Sequence, residues 1–373
     1  METMRIGIDG EALRKPLAGV GQYVFNLCRE IEHLLPQARF FVYARLDAAQ
    51  LALPSERWTL RREPRSWLRK LPSFLWLRTR GAALCRRDKL DLFWAGRTLH
   101  AGRSAARKTI VTVHDLNHRI VPETMERATL WSHRCWFDAD VRSADVVVAN
   151  SDSTSRRLVQ WIGRAADSTV RPGLSPAFLA AGQTRQTDAV PALAAHGIVR
   201  PYLLAVSTLE PRKNIDALLD AYLALRASGQ LAGHSLVLVG ARGWQNERLA
   251  ERLHAAPGVV LPGYIPDTVM PLVYAQADAL VMMSLYEGFG MPVQEACAMG
   301  TPVVIADVDE LREAAHGRCT VAQHNNPASL QAAILQAMAQ PVLVPDWPAH
   351  AAWQHGAQAM AKLFRTQHAT LRA

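Results

Sequence analysis

Short apolar runs and longer amphipathic segments alternate along most of the chain. Uninterrupted runs such as "KTIVTVHD" (108–115) and "ADVVVANS" (144–151) are typical of strands buried on both faces of a parallel sheet. Apolar residues three or four positions apart, as in 16–31 and 153–162, predict helices instead. The alternation of strands and helices predicts an α/β protein.

The remaining elements follow from the same two patterns. The predicted strands are 4–10, 39–45, 108–115, 144–151, 201–208, 234–240, 258–266, 279–284 and 301–307, and the predicted helices are 16–31, 153–162, 214–229, 246–256, 269–277, 292–299 and 351–367.

A stretch of polar and small residues at 179–200 interrupts the alternation and predicts a linker between two domains. We expect an N-terminal domain at 1–180, completed by a C-terminal helix at 350–373, and a second domain at 195–349. A chain of 373 residues, 49% of them apolar, is long enough for two cores. Ligands of doubly wound sheets bind beyond the carboxyl ends of the strands, where we expect an interdomain cleft.

The charge is distributed unevenly between the two halves. Residues 1–180 carry a net charge of +11, and residues 181–373 carry −2. The basic half therefore predicts an anionic partner, which on charge alone could be nucleic acid, a phospholipid surface or a phosphorylated substrate. Five scattered cysteines without a CxxC pair, and no apolar run long enough for a membrane span, indicate a cytoplasmic protein.

The segment "LYEGFGMPVQEACAMGTPVV" (285–304) places one carboxylate in a glycine-rich loop and a second in the helix that follows. Gly288 and Gly290 allow a close approach of the backbone to a ligand, and a helix N-terminus favours a phosphate. Glu287 and Glu295 beside such a site suit hydroxyl groups, which a sugar nucleotide offers on its sugar and its ribose. The alternative for Glu295 is a favourable interaction with the helix dipole.

The run "EGFGMPVQEACAMGTPVV" (287–304) resembles the E-x7-E signature of retaining glycosyltransferases of family 4. The resemblance extends to "GYIPD" (263–267), "LVLVGARGW" (236–244), "STLEPRKNIDALL" (207–219), "VRPGLS" (170–175), "VVVANSDSTSRRL" (146–158), "VTVHD" (111–115) and "GVGQY" (19–23). It implies the GT-B fold, in which two Rossmann-like doubly wound domains face a cleft and a C-terminal helix crosses back to the first domain.

In the second domain, the resemblance gives each matching residue a role. Glu287 would contact the transferred sugar, Glu295 would hold the ribose, and the backbone around Phe289, Gly290, Met291 and Pro292 would bind the sugar and the distal phosphate. Arg212 and Lys213 would neutralise the leaving diphosphate in place of a metal ion, and their alternative is a solvated basic turn. Tyr264 would lie in the turn that borders the nucleoside base.

In the first domain, the resemblance singles out a histidine and two glycines. His114 would lie near the reacting sugar, and its alternative is a satisfied histidine at a strand end. Gly19 and Gly21 would form a flexible loop that approaches the diphosphate or the acceptor. We expect the acceptor contacts in loops such as 10–20 and 92–103.

The segment 61–80 interleaves arginines with tryptophan and leucine, a composition that suits the headgroup region of an anionic membrane. The alternative is that its aromatic residues pack on the domain while its arginines are solvated. Nucleic-acid binding is not expected, because no recognition motif accompanies the segment. We therefore expect a peripheral protein at the inner membrane face.

The resemblance implies a retaining glycosyltransferase of surface glycan biosynthesis. Its partners would be a nucleotide sugar, with GDP-mannose as the first choice, and a lipid-linked or polysaccharide acceptor. No metal or other cofactor is expected, since no convincing D-x-D motif is present. The alternatives are another donor such as dTDP-rhamnose, GDP-rhamnose or a UDP-hexose, a GT-B sugar-nucleotide epimerase, and an inactive membrane-bound scaffold.

Overall fold

The structure is a computed structural model that describes residues 3–181, 189–240, 243, 247–340 and 351–372. The chain divides into two compact units. The first comprises Met1–Arg119, Arg127–Gly173 and His350–Ala373, and the second comprises Ile120–Glu126 and Leu174–Ala349. Each unit is built on one parallel sheet with helices, so the predicted fold of two Rossmann-like domains is confirmed.

The first unit has a seven-stranded sheet in the order β3-β2-β1-β4-β5-β6-β7. Its strands are β1 (Arg5–Asp9), β2 (Arg39–Ala44), β3 (Trp58–Arg62), β4 (Leu90–Ala95), β5 (Ala106–Val113), β6 (Val146–Ala149) and β7 (Ser168–Thr169). The strand order reverses between β1 and β4. In sheets of this kind, ligands bind beyond the strand ends at such a reversal.

The helices of the first unit include the last helix of the chain. They are α1 (Gly19–Leu34), α2 (Ser73–Trp76), α3 (Ala82–Arg87), α4 (Asn117–Ile120), α5 (Arg127–Ser143), α6 (Asp152–Ile162) and, at the C-terminus, α15 (Trp353–Thr370). The ring of Trp353 packs edge-on against Tyr23 with centroids 5.8 Å apart, and Arg365 Nη2 donates to the Leu34 carbonyl over 2.7 Å. The C-terminal helix thus completes the first unit, as predicted.

The second unit has a six-stranded sheet in the order β10-β9-β8-β11-β12-β13. Its strands are β8 (Tyr202–Val206), β9 (Ser235–Val239), β10 (Val259–Val260), β11 (Ala279–Met282), β12 (Val303–Ala306) and β13 (Thr320–Ala322). Its helices are α7 (Pro176–Ala181), α8 (Ala189–Ala194), α9 (Ile215–Ala227), α10 (Glu247–Ala255), α11 (Met270–Ala275), α12 (Met291–Ala298), α13 (Asp309–Ala314) and α14 (Pro327–Met338).

Three predictions of local structure are wrong. The predicted strand 258–266 shrinks to Val259–Val260, because two prolines and Gly263, at a φ of 74°, cannot continue a paired strand. The predicted linker 179–200 contains a helix at Ala189–Ala194, although residues 182–188 lie outside the described part. The predicted glycine loop at 19–21 is the first turn of α1.

Candidate functional site

The glycine-rich loop between β11 and α12 has the geometry that the sequence predicts. Gly290 adopts a φ of 105°, and a Cβ there would lie 2.7 Å from the Leu311 side chain, so only glycine fits without strain. Helix α12 begins at Met291, has Pro292 in its first turn and is followed by Gly300 at a φ of 75°. The loop therefore delivers Glu287 to the carboxyl end of β11.

A second loop, the turn Pro211–Lys213 after β8, is fastened to the first. The Leu285 amide donates to the Arg212 carbonyl over 2.8 Å, and Arg212 Nη1 donates to the Tyr286 carbonyl over 2.8 Å. Because β8 and β11 are neighbours in the sheet, the two loops meet at the same edge. This contact joins two motifs that lie more than seventy residues apart in the sequence.

Glu287 is held by both predicted cations. Its Oε2 lies 2.8 Å from Arg212 Nη1, and its Oε1 lies 2.5 Å from Lys213 Nζ. The three side chains are only 8%, 14% and 12% exposed for Glu287, Arg212 and Lys213. Burial alone would raise the pKa of Glu287, but the two cations outweigh it and lower that pKa to about 2. The carboxylate therefore stays ionised.

A fourth member of this group was missed in the sequence. Glu210 Oε1 lies 2.5 Å from Arg212 Nη2 and is buried. Glu210, Arg212, Lys213 and Glu287 together form what we call the ion cluster, in which two acids balance two bases. The signal was present in "EPRKN" (210–214), but the prediction considered only the two cations of that motif.

Burial also acts on Lys213. It lowers the pKa of the Lys213 ammonium, and the neighbouring Glu287 carboxylate opposes that effect. A buried ammonium gains more from an anionic partner than a solvated one does, since water screens it less. The anionic partner of Lys213 and Arg212 in this structure is Glu287, and their role toward a diphosphate stays a prediction.

Glu295 lies on α12 and has a partner outside the ion cluster. The hydroxyl of Tyr274, on α11, donates to Glu295 Oε2 over 2.6 Å. Burial raises the pKa of Glu295 to about 7; the Tyr274 hydrogen bond opposes this rise, and the charge of Asp267 adds to it. Among the described residues, no ion pair links Glu295 to the ion cluster. Tyr274 is a second residue that sequence reasoning missed.

The other predicted donor contacts are backbone groups or an exposed ring. The Phe289 side chain is buried, so only its backbone is available to a ligand, and Pro292 has no amide hydrogen to donate. Gly290 and Met291 form the start of α12. Tyr264, in the loop after β10, is 81% exposed.

His114 directly follows β5 in the first unit. Its Nε2 donates to the Gly96 carbonyl over 2.7 Å, and its ring packs edge-on against Tyr23 at 4.9 Å. Burial lowers the pKa of His114, so the ring is neutral at pH 7. The histidine is therefore satisfied at Nε2, as the alternative interpretation stated.

A cavity of about 290 Å³ opens at the N-terminus of α1 in the first unit. It is lined by Glu11, Ala12, Arg14, Lys15, Pro16, Ala18, Val20, Gly21 and Arg97. All of these residues except Gly21 fall within 10–20 and 92–103, where the sequence predicts the acceptor contacts. Gly21 belongs to the lining, and a Cβ on it would lie 3.1 Å from the Ala12 carbonyl oxygen.

The cations of segment 61–80 are largely engaged within the protein. Five of its seven basic residues form ion pairs: Arg61 with Asp88, Arg62 and Arg69 with Asp47, Arg78 with Asp140, and Arg80 with Glu63. Trp76 is buried and its Nε1 donates to Glu63 over 3.0 Å. The segment is thus more firmly packed, and less basic at its surface, than its composition indicates.

A partly exposed aromatic patch joins Phe74 of this segment to α5. Phe74 packs against Trp131 and Trp136 of α5, with ring centroids 5.7 and 5.4 Å apart, and Trp131 is 52% exposed. The Arg78 guanidinium lies 4.9 Å above the Trp136 ring. We call Phe74, Trp131 and Trp136 the aromatic patch. Within the described residues, no helix has the length and apolar character needed to cross a bilayer.

Comparison with known proteins identifies related chains. The E. coli O-antigen chain mannosyltransferase B is 28% identical over 356 residues, which cover 90% of this chain and 91% of the relative. The E. coli serotype-specific mannosyltransferase WbdA is 27% identical over 246 residues, which cover 62% of this chain but only 30% of that larger protein.

The fold is shared with solved structures. Sucrose-phosphate synthase from Thermosynechococcus elongatus matches with a TM-score of 0.74 at 19% identity, over 98% of this chain and all of that one. The family model described as Glycosyltransferase Family 4 matches residues 17–173, and the model described as Glycosyl transferases group 1 matches residues 200–340. The chain therefore belongs to the family 4 glycosyltransferases of the GT-B fold.

Proposed function

We propose that the protein transfers mannose from GDP-mannose, with retention of configuration, to a lipid-linked or polysaccharide acceptor in surface glycan synthesis. The observation that carries the proposal is the ion cluster, which places two largely shielded cations and a buried carboxylate where β8 and β11 end, beside the start of α12. The choice of mannose is supported by the names of the two E. coli relatives.

The cations serve the leaving group in this proposal. Breaking the bond to the sugar leaves negative charge on the nucleoside diphosphate, and Arg212 and Lys213 stabilise that charge. Their side chains are mostly shielded from water, where such an interaction is stronger than at the surface. We infer on the same grounds that no metal ion is needed for this charge.

Retention is proposed to proceed without a covalent carboxylate intermediate. Glu287 is paired with two cations at 2.8 and 2.5 Å, which offset its negative charge and lower its nucleophilicity. The leaving diphosphate would instead take the proton of the acceptor hydroxyl on the same face of the sugar. Binding and orientation of the two substrates then supply much of the rate enhancement.

The remaining donor contacts follow the same proposal. Glu295 would accept hydrogen bonds from the ribose hydroxyls, and the backbone of Phe289, Gly290 and Met291 would contact the sugar and the distal phosphate. The backbone near Tyr264 would border the base, and His114 would contact the donor sugar.

The acceptor is proposed to bind at the cavity beside α1. Arg14, Lys15 and Arg97 contribute three positive charges to its lining, and Glu11 contributes one negative charge. Arg14 pairs with Glu11 and Arg97 pairs with Asp9, so Lys15 is the lining cation that we propose for the phosphate of an acceptor such as a lipid-linked glycan. Gly19 and Gly21, in the first turn of α1, would let the backbone approach the acceptor.

We propose the aromatic patch, together with the rest of segment 61–80, as the contact with the cytoplasmic face of an anionic membrane. Trp131 is exposed on α5 between Arg127 and Arg134, one helical turn away on each side, and both arginines are exposed. Tryptophan and arginine on one helix face suit the interfacial region of a bilayer.

The donor proposal is tested by calorimetric binding of GDP-mannose, UDP-glucose, UDP-N-acetylglucosamine and dTDP-rhamnose, with EDTA present. We expect GDP-mannose to bind selectively without metal. Selective binding of another nucleotide sugar would replace mannose by that sugar. If none of the four nucleotide sugars binds, the proposal that the donor site forms in the absence of acceptor and membrane is contradicted.

A further inference from the structure

Both carboxylate oxygens of Glu287 are engaged by the cations that the proposed function assigns to the donor diphosphate. Oε2 contacts Arg212, and Oε1 contacts Lys213. A diphosphate that binds these two cations therefore competes with Glu287 for them, and the like charge of the carboxylate opposes its binding. While Glu287 is paired in this way, a cation occupies one acceptor site on each of its oxygens, so fewer sites remain for hydroxyls of the transferred sugar.

We infer that Glu287 exchanges partners during the reaction and thereby distinguishes the donor from its nucleoside diphosphate product. In this exchange the diphosphate takes Arg212 and Lys213, and the released carboxylate accepts hydrogen bonds from hydroxyls of the sugar. The inference rests on the proposed function and adds a specificity-determining role for Glu287 to it.

The free energy needed to leave a buried carboxylate without partners makes the exchange selective for the donor over the product. A charge removed from water and left without partners is strongly unfavourable. The sugar of the donor supplies new partners for Glu287, whereas the product diphosphate does not. After transfer, Glu287 therefore returns to Arg212 and Lys213 and weakens the binding of the product, which favours its release.

Glu210 lets the cations stay in place while Glu287 moves. It contacts Arg212 through Nη2, whereas Glu287 contacts Nη1, so Arg212 keeps one anionic partner throughout. The Arg212 carbonyl and Nη1 also bond to the loop that carries Glu287. The guanidinium is therefore fixed by groups other than the carboxylate that leaves it.

The exchange predicts that removal of the Glu287 charge tightens the binding of product. The experiment measures the Kd values of GDP and of GDP-mannose for the wild-type protein and for Glu287→Gln. It is done at pH 6, because a lower pH favours the protonated form of Lys213. We expect GDP to bind Glu287→Gln about tenfold more tightly, because an internal competitor is lost. The affinity for GDP-mannose should rise less than the affinity for GDP, or fall, because the hydroxyls of its sugar lose the ionised carboxylate that accepts their hydrogen bonds.

Asp307→Asn is the control, because Asp307 directly follows β12 in the same sheet, pairs with Arg312 and does not contact the ion cluster. If loss of any nearby negative charge were enough, this variant would also bind GDP more tightly; we expect it not to. Thermal unfolding of each variant verifies that it is folded. A folded Glu287→Gln protein that binds GDP no more tightly than the wild type would overturn the exchange.

A second measurement needs no variant for its main result. Free mannose should bind the wild-type protein measurably only when GDP is present, because GDP releases Glu287, and by linkage mannose should tighten GDP binding by the same factor. Equal mannose binding with and without GDP would overturn the exchange. Loss of transfer in Glu287→Gln without tighter GDP binding would overturn the exchange and leave the proposed function standing, whereas absence of transfer from GDP-mannose by the wild-type protein would refute the proposed function itself.

Discussion

The Tyr274 hydroxyl donates a hydrogen bond to Glu295 Oε2 over 2.6 Å. Tyr274 is fully buried, and its own backbone carbonyl accepts a hydrogen bond from Thr301 Oγ1 at 2.7 Å. The phenol is therefore fixed, and it fixes one oxygen of the carboxylate in turn. The other oxygen, Oε1, is the one we expect to meet the ribose of the donor.

Replacing Tyr274 with Phe should weaken donor binding by about ten- to a hundredfold, the effect of one hydrogen bond to a charged group. Tyr202→Phe is the control, because the Tyr202 hydroxyl donates over 2.6 Å to the carbonyl of Val273, the residue before Tyr274. The KM for the donor should rise in Tyr274→Phe and stay near the wild-type value in Tyr202→Phe. Equal changes in the two variants would show a merely structural role for Tyr274.

The raised pKa of Glu295, about 7, predicts a pH dependence of donor binding. The ionised carboxylate accepts ribose hydroxyls better than the protonated acid, so binding favours loss of the proton. Donor affinity should therefore be low below pH 7 and rise as the pH passes through about 7. Tyr274 and Asp267 are the groups that act on this carboxyl, and their own variants should shift the midpoint.

The measurement is the Kd for GDP-mannose between pH 5.5 and 8.5, in the wild-type protein and in Glu295→Gln. The variant cannot titrate at this position and should lose the rise near pH 7. An identical slope in both proteins would assign the pH dependence to another group.

Gly290→Ala should lower the free energy of unfolding by about 1–3 kcal/mol, through a strained φ and a Cβ placed 2.7 Å from Leu311. Gly317→Ala provides the comparison: Gly317 has a φ of 75°, and a Cβ there meets nothing within 4 Å. Chemical denaturation should show the larger loss for Gly290→Ala. If Gly317→Ala were equally destabilised, contact with Leu311 would have no part in the effect.

The membrane proposal predicts that Trp131→Ala reduces binding to anionic phospholipid vesicles by about tenfold, because an interfacial aromatic ring is lost. Trp161, on α6, is also exposed but lies outside the aromatic patch, so Trp161→Ala should bind as the wild type does. Vesicle sedimentation at low and physiological salt measures both. Equal binding of the two variants would exclude the aromatic patch as the contact surface.

The sequence predicts the alternation of strands and helices well, because buried parallel strands are continuously apolar. The central strand β4 (Leu90–Ala95) is missed, since charged residues at its start conceal a six-residue run. Likewise, the run at 258–266 is apolar enough for a strand, but its prolines limit pairing to two residues. Local composition alone therefore does not show which of these two runs forms a full strand.

The sequence predicts which residues belong to the candidate site but not which of them form ion pairs with each other. The motifs single out Arg212, Lys213 and Glu287, whereas their mutual neutralisation depends on β8 and β11 being neighbours in the sheet. Segment 61–80 is a similar case, because most of the acids that pair with its arginines lie elsewhere in the sequence, as Asp140 does for Arg78. Such contacts between distant segments require the fold.

The central claim is that the ion cluster forms the donor site of a transferase. The most direct measurement is the rate of sugar transfer from GDP-mannose by the wild-type protein and by Glu287→Ala, with the folded state of both verified by circular dichroism. We predict that transfer falls by about a hundredfold or more while the protein stays folded. Unchanged turnover in a folded Glu287→Ala protein would contradict the account.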